Sequence, residues 1–483
     1  DAGLDSGPDA VTDSGTDSSP DAVTDSGTDS SPDAVTDAGI DAGIDAGIDA
    51  GIDAGIDAGT DAAQDTAEED VPVEDADAQV DVAADTAPPI ELCNYTDDDG
   101  DGLVDEGCYP GPNLQAGQSW TDRGLIKTTG AGKKQILHSL PVATKGDATL
   151  ILLRDIATKP LWVVPTLLFT PDMNMWIDPE FWSASDNRPR PALRDGTLLL
   201  GMAPQLTVDA GVFQLAAQRL PIGVDGWGPA KAGWLHLGAV TRPSLTKKPC
   251  HVLVDVYVVG GNPMKAADLA ESPYWKAIVA QFDAIWGPAG MVLEVTSLTD
   301  VVGADAQKYA YVDGLLDTTL NAELVGLFSL PTKLKPDSAA LSLFLVAGLH
   351  DDGSPVAAGV SGTIAGINGL QGRAVSGMAI AFSPSDWQGA TGMQNSVAVV
   401  AKAWGRVIAH EVGHTMGLWH TDEHEGPTVD TIPDTEPCGV AAPDPDKCPD
   451  QATNLMFWSP TGSDVTTGQT TVVRRHPSVL PGG

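Results

Sequence analysis

Apolar residues in the second half of this chain follow two rhythms, one of period two and one of period three to four. The run from His251 to Val259 is dense in β-branched residues and closes on Gly260-Gly261, which predicts a central strand. Trp275, Ile278, Val279, Phe282, Ile285 and Trp286 recur at steps of three and four, a helical stripe that Gly287-Pro288 stops. Met291 to Val295 and Leu341 to Val346 return to strand-like runs, Gly359 to Leu370 predicts a loose, glycine-rich edge strand, and Met378 to Phe382 predicts another strand. Helical spacing resumes at Val397, Val400, Trp404, Val407 and Ile408, with Asn395 or Ser396 placed to cap the helix. Strand, helix, strand, strand, edge, strand, helix is the order of an α/β domain with helices packed on a twisted mixed sheet, and it is assigned to residues 246–483.

Upstream the rhythm changes twice. Within residues 111–245, short β-rich runs such as Thr149 to Leu153, Leu161 to Phe169 and Thr197 to Leu200 are separated by Pro, Gly and Asp, which predicts an all-β sandwich. Such a domain could be an accessory binding module, a pro-segment over a cleft or a spacer. Residues 1–90 have almost no large apolar side chains, and an aspartate falls at every fourth position from Asp1 to Asp65. Twelve-residue repeats beginning at Pro8 give way at Asp37 to Asp-Ala-Gly-Ile repeats. Like charges four apart repel on a helix face and the tract cannot bury a core, so it is expected to be a disordered acidic stalk.

Charge sharpens this division. The chain has 483 residues and a formal net charge of −41, of which residues 1–89 supply 25 acidic groups with no Lys or Arg. The remainder is only moderately acidic, which gives no support for nucleic acid as a partner. No run of 18 apolar residues is present, so no transmembrane span is expected. The chain starts at Asp1 without a methionine, and a signal segment, or a lipid-bearing cysteine anchoring the stalk to a surface, is expected to have been removed. Five cysteines fit an oxidising compartment, extracellular or at a bacterial cell surface. The economical local pairs are Cys93 with Cys108 and Cys438 with Cys448, leaving Cys250 for a core, disulfide or zinc-masking role, although fifteen arrangements leave one thiol over.

The densest chemistry lies in residues 410–420, which spell HExxHxxGxxH. His410 and His414 are one helical turn apart and can offer imidazoles to one ion. Glu411 is carried off the metal by its offset and can take a proton from a water at the open position. Gly417 falls where a helix must stop and the chain reverse so that His420 can reach the ion. Three protein ligands and an open fourth position mark a catalytic Zn²⁺, and neutral ligand imidazoles imply activity falling as pH drops toward about 5.

These residues resemble the metzincin clan of zinc metallopeptidases, and within it the pappalysin-like (cytophagalysin) branch. The resemblance spans roughly residues 246–480 and rests also on Asn454-Leu455-Met456-Phe457, similar to a Met-turn, and on Thr466-Thr467-Gly468-Gln469 opening a last helix. Asp434 to Cys438, with Cys448 before the Met-turn, is similar to this branch as well. The resemblance implies Met456 beneath the metal and a cleft between the upper edge strand and the zinc helix. Trp458 departs from the clan, which often has a tyrosine there to stabilise the tetrahedral intermediate. Cys93 to Cys108 resembles the CNxxDDDxDGxxDEGC motif of bacterial surface proteins, described as metal-binding. Asp97, Asp99, Asp101 and Asp105 are its candidate Ca²⁺ ligands, against a disulfide-closed acidic turn without an ion.

The expectation is a secreted or surface-tethered zinc endopeptidase acting on protein or peptide substrates. The alternative is a cell-surface binding or adhesion protein whose zinc domain is catalytically silent.

Overall fold

The structure is a computed structural model that describes residues 93–98, 103–178, 187–189, 192–223, 226–245, 249–260, 262, 264–314, 322–382, 396–424, 430–440 and 442–482. The acidic tract of residues 1–90, with Asp99, Asp101 and Asn395, lies outside them.

Among the described residues of 119–242, the regular elements are strands, in two antiparallel sheets and a short hairpin. The strands are β1 (Ser119–Thr128), β2 (His138–Val142), β3 (Ala148–Asp155), β4 (Trp162–Phe169), β5 (Met175–Ile177), β6 (Ala192–Leu193), β7 (Asp195–Leu199), β8 (Gly211–Leu220), β9 (Ile222–Gly223), β10 (Gly226–Trp227) and β11 (Gly233–Arg242). One sheet runs β1-β11-β3-β7; the other runs β2-β8-β4-β5, with β6 also on β4; β9 and β10 pair with each other. Every residue of β3 is buried, as a strand covered on both faces must be. Pro165 cannot donate to a ladder, and β4 changes register against β8 between Pro165 and Leu167.

The second region builds a sheet in the order β13-β12-β15-β19-β18 from β12 (Cys250–Val258), β13 (Met291–Asp300), β15 (Leu341–Val346), β18 (Gly359–Ser361) and β19 (Gly377–Ala381). The first four in that order run parallel and β18 runs antiparallel at the edge. A last strand, β20 (Val479–Pro481), lies antiparallel on the first residues of β12. Beside this sheet, β14 (Tyr311–Val312) pairs with β16 (Gly348–Asp351), which forms a hairpin with β17 (Ser354–Ala357) through Asp352 and Gly353, both at positive φ.

The helices are α1 (Ala266–Glu271), α2 (Pro273–Ile285), α3 (Gly303–Lys308), α4 (Ala322–Ser329), α5 (Pro331–Leu334), α6 (Val397–Thr415) and α7 (Thr467–Arg475). Helix α2 starts where Ser272 accepts a bond from the Tyr274 amide and Pro273 presets φ. It crosses α6 closely at Gly405, where an added Cβ would stand 2.6 Å from Gln281. The Trp286 indole donates to Ala409 O at 3.2 Å, which locks α2 to α6 one residue before the first histidine of the motif.

Two expected elements changed. The edge strand over Gly359 to Leu370 is confined to Gly359–Ser361. Beyond it Gly366 donates to Thr415 O at 2.7 Å and an added Cβ would clash with Thr415, so missing side chains draw this segment under the end of α6 instead of along the sheet. Strand β13 runs five residues past its expected end at Val295, to Asp300, beside the length of β12.

Buried residues from both regions form one apolar cluster, from Leu150 and Leu199 through Val254 to Val412 and Met456. Polar ties cross the same boundary. Gln118 donates to Asn368 Oδ1 and Pro477 O, Thr197 to Ala365 O, and Arg475 to Gly201 O, Ala203 O and Pro204 O.

Candidate metal centre

Ser396 caps α6 by accepting from the Val399 amide, and the last two turns of that helix carry His410, Glu411 and His414, all buried. Gly417 stops the helix at φ +97°, and its missing Cβ makes room for Leu199 of the β region. The Leu418 amide reaches back to Gly413 O at 3.0 Å, and the reversed chain delivers His420 to the helix. His410, His414 and His420 are the one group of three metal-competent side chains among the described residues.

The three Nε2 atoms stand 3.0, 3.1 and 3.2 Å apart. Nitrogens bound about 2.0 Å from a tetrahedral zinc stand roughly 3.3 Å apart, so the spacing fits that ion. Proton bookkeeping reaches the same result. His410 Nδ1 faces Leu455 O at 2.7 Å, His414 Nδ1 faces Leu418 O at 2.8 Å, and His420 Nδ1 faces Glu423 Oε2 at 2.8 Å. Oxygen acceptors claim the Nδ1 protons, so neutral rings present three bare Nε2 lone pairs to one another. Three lone pairs at this separation repel unless a cation lies among them, so the close nitrogens fit a set that could hold a metal ion better than hydrogen bonds between rings.

The surroundings hold the ligands. Met456 lies beneath α6, its Sδ 2.5 Å from where a Cβ on Gly413 would be, and its carbonyl accepts from the Thr421 amide at 2.8 Å. Asn454 and Gln469 exchange amide hydrogen bonds, while Thr466 and Gln469 form a capping box, which joins the Met456 turn to α7. Asp434 accepts from Thr466 Oγ1 and the Gly468 amide at the same helix start. Trp458 is buried and donates to Pro443 O at 2.9 Å, so its only donor is engaged with backbone.

Glu411 packs directly on the edge strand: a Cβ on Gly359 would come within 2.7 Å of its Cγ and Oε1. Glu411 therefore lies between α6 and the edge strand that borders it. Sequence reasoning missed Glu423 and Arg188. Glu423 stands three residues past the last ligand, and a carboxylate at that offset is the available signal for an imidazole partner. The Arg188 guanidinium lies over Trp419 from the β region, which no local pattern reveals.

Cys93 is bridged to Cys108 and Cys438 to Cys448. Cys250 is buried in the core, its thiol on Gly290 O at 3.4 Å, and belongs to no metal-competent group among the described residues. Asp105 is fully buried and accepts from the Asn94 and Tyr95 amides, which closes the Cys93 to Cys108 loop on itself. Asp97 is half-buried on the same loop, whose backbone docks on β1 through the Leu125 amide and Val104 O. In the loop that follows the third histidine, burial pushes the Asp430 carboxyl up to about 7, and its Oδ2 has no hydrogen-bond partner.

No protein-family model and no curated protein matches the chain. Among solved structures it is similar to a zinc-dependent peptidase from Methanocorpusculum labreanum, at 10% identity and TM-score 0.26 over 46% of this chain and 99% of that one. Metalloproteinase-II from Bacteroides fragilis is 12% identical, with TM-score 0.25 over 49% of this chain and 60% of that one. Archaemetzincin from Methanopyrus kandleri is 11% identical, with TM-score 0.26 over 48% of this chain and 98% of that one. At scores this low the chemistry of the site stands on its own residues.

Proposed function

We propose that the protein is a zinc-dependent endopeptidase, secreted or held at a cell surface through its acidic N-terminal tract. The observation that carries the reading is the convergence of three Nε2 atoms at 3.0 to 3.2 Å, each ring fixed through Nδ1, with Glu411 buried next to His410 in the same helix.

A zinc ion on His410, His414 and His420 would polarise a scissile carbonyl and acidify a water. Glu411 would take a proton of that water as the water oxygen bonds to the carbonyl carbon, and would return it to the amine nitrogen as the C–N bond breaks, leaving a carboxylic acid and an amine with no net proton change. The absent Cβ at Gly359 of β18 leaves room for the Glu411 side chain, which packs against that strand. Among the described residues β18 is the outermost strand of the sheet, beside α6, which supports a cleft bordered by that strand. Transition-state stabilisation by Trp458 is not part of the proposal, because its indole N–H is spent on Pro443 O. That same bond favours the second reading, a surface-binding protein with a silent zinc site.

The deciding experiment profiles a mixed peptide library by mass spectrometry with zinc-loaded wild type and Glu411→Gln. Cuts by the wild type alone, with zinc retained in both, establish the peptidase. Zinc bound by both proteins with cuts by neither establishes the silent site.

A further inference from the structure

A cleft of about 290 Å³ opens where the ends of β3 and β11 meet α7, and its lining residues include none from the histidine site. Its walls carry Arg242, Arg474 and Arg475, with the hydroxyls of Ser244, Thr470 and Thr471, and no acidic residue. In a chain of net charge −41 this is an unusual concentration of one sign.

The guanidinium donors of Arg242 and Arg475 are not used up. Each offers five N–H groups. Arg242 donates to Pro243 O, Arg474 O and His476 O, and its Nε is buried without a partner. Arg475 donates three bonds, to Gly201 O, Ala203 O and Pro204 O. Every one of these hydrogen-bond acceptors is a neutral carbonyl, and the carboxylate that acts on Arg242, Asp147, makes no hydrogen bond to it and is not part of the cleft wall. Arg242 is 2% exposed, and burial depresses its pKa to about 10; Arg475 is shifted the same way by the same cause. Buried cations are ordinarily matched by an anion, because neutral carbonyls repay only part of the desolvation cost.

We propose that this cleft binds a small oxyanion of the phosphate class, bridging the β region and the terminal helix. Unused N–H groups of the partly buried Arg475 would donate to its oxygens beside the buried charge of Arg242, the pairing for which guanidinium geometry is suited. The threonine hydroxyls already donate to Thr467 O, so they contribute lone pairs to a protonated oxygen or to water. Because the arginines also tie the two regions together through carbonyls, the anion would act as a clamp: bound, it stabilises the joint.

The test uses the full zinc-loaded chain and inorganic phosphate, with chloride at equal ionic strength as reference. Calorimetry is expected to give submillimolar binding of one phosphate, and thermal unfolding a rise in Tm with phosphate concentration. Arg475→Gln should weaken binding tenfold or more. Ser244→Asp supplies a carboxylate from the exposed rim and leaves the arginine ties in place, giving up only the Ser244 Oγ bond to Gly146 O; it should abolish phosphate binding, whereas Ser244→Ala, which gives up the same bond without adding charge, should retain it. Equal heats and equal Tm in phosphate and chloride overturn the proposal. So does phosphate binding that survives Arg475→Gln and Ser244→Asp unchanged, since that places the anion on the zinc instead.

Discussion

The guanidinium carbon of Arg188 lies 3.8 Å from the ring centroid of Trp419, and the next residue along the chain is the third ligand, His420. The β region thus presses on the loop that completes the metal site. Both partners are buried, where a cation over an indole is worth about 2 kcal/mol.

Arg188→Ala should therefore destabilise the protein by about 2 kcal/mol and also weaken zinc binding, with Arg188→Lys in between. Urea unfolding and chelator competition separate the two effects. Lost stability with unchanged zinc affinity would show that the His420 loop does not need this contact.

Glu423 fixes the ring of His420 through Nδ1 at 2.8 Å. Replacing it with Ala should lower zinc affinity about 10- to 100-fold, the usual range for a partner of a ligand imidazole. Glu423→Gln, which keeps an acceptor oxygen but loses the charge, should lose less. Zinc competition with a coloured chelator reads both, and an unaltered affinity in the Ala variant would refute the role.

Gly359 makes room for Glu411. In Gly359→Ala the new methyl meets Cγ and Oε1 at 2.7 Å, so the carboxylate must turn or the strand retreat. Turnover should fall, by no more than the roughly 10²- to 10⁴-fold that removing a general base costs, while bound zinc stays at one equivalent. Full activity in this variant would mean that the base is not held by the strand.

Asp430 is 9% exposed and its folded pKa lies near 7, above its ordinary 3.8. A folded pKa raised above the unfolded one means that the favourable contribution is complete below about pH 4 and is lost as pH rises to about 7. The full loss is on the order of 4 kcal/mol. Asp430→Asn has no such dependence and keeps an acceptor for Ile432 and Thr435. Its Tm should exceed the wild type at pH 8 and converge with it near pH 4; a constant difference across that range would contradict the assignment.

Much of the zinc-helix region was legible because its elements follow from local signals. Leu341–Val346 begins and ends where its apolar run does, and α6 starts at the serine able to cap it. The three histidines follow from helical periodicity and one glycine. What escaped was set by distance in sequence. The hairpin of β16 and β17 and the strands β1, β8 and β11 are mixed in composition and acquire their pattern only against partners, as β11 does between β1 and β3. The edge strand was overestimated because glycine marks close approach as readily as an edge, and Gly366 approaches Thr415. Arg188 and Glu423 carry no motif; their roles exist only once Trp419 and His420 have been turned toward them.

Gln118, at the start of the β region, closes on Pro477, a separation of 359 residues, and Arg475 grips Gly201, Ala203 and Pro204. During synthesis none of these bonds can form until nearly the whole described chain has emerged. Loop closure over such spans is slow, so the β strands must wait, partly exposed, for the terminal helix. The joint between the regions is then the last part to set, and with it the support that Arg188 gives the third ligand. A nascent chain would hold its histidines early but the full set of supports around His420 only once residues 475–477 have joined the β region.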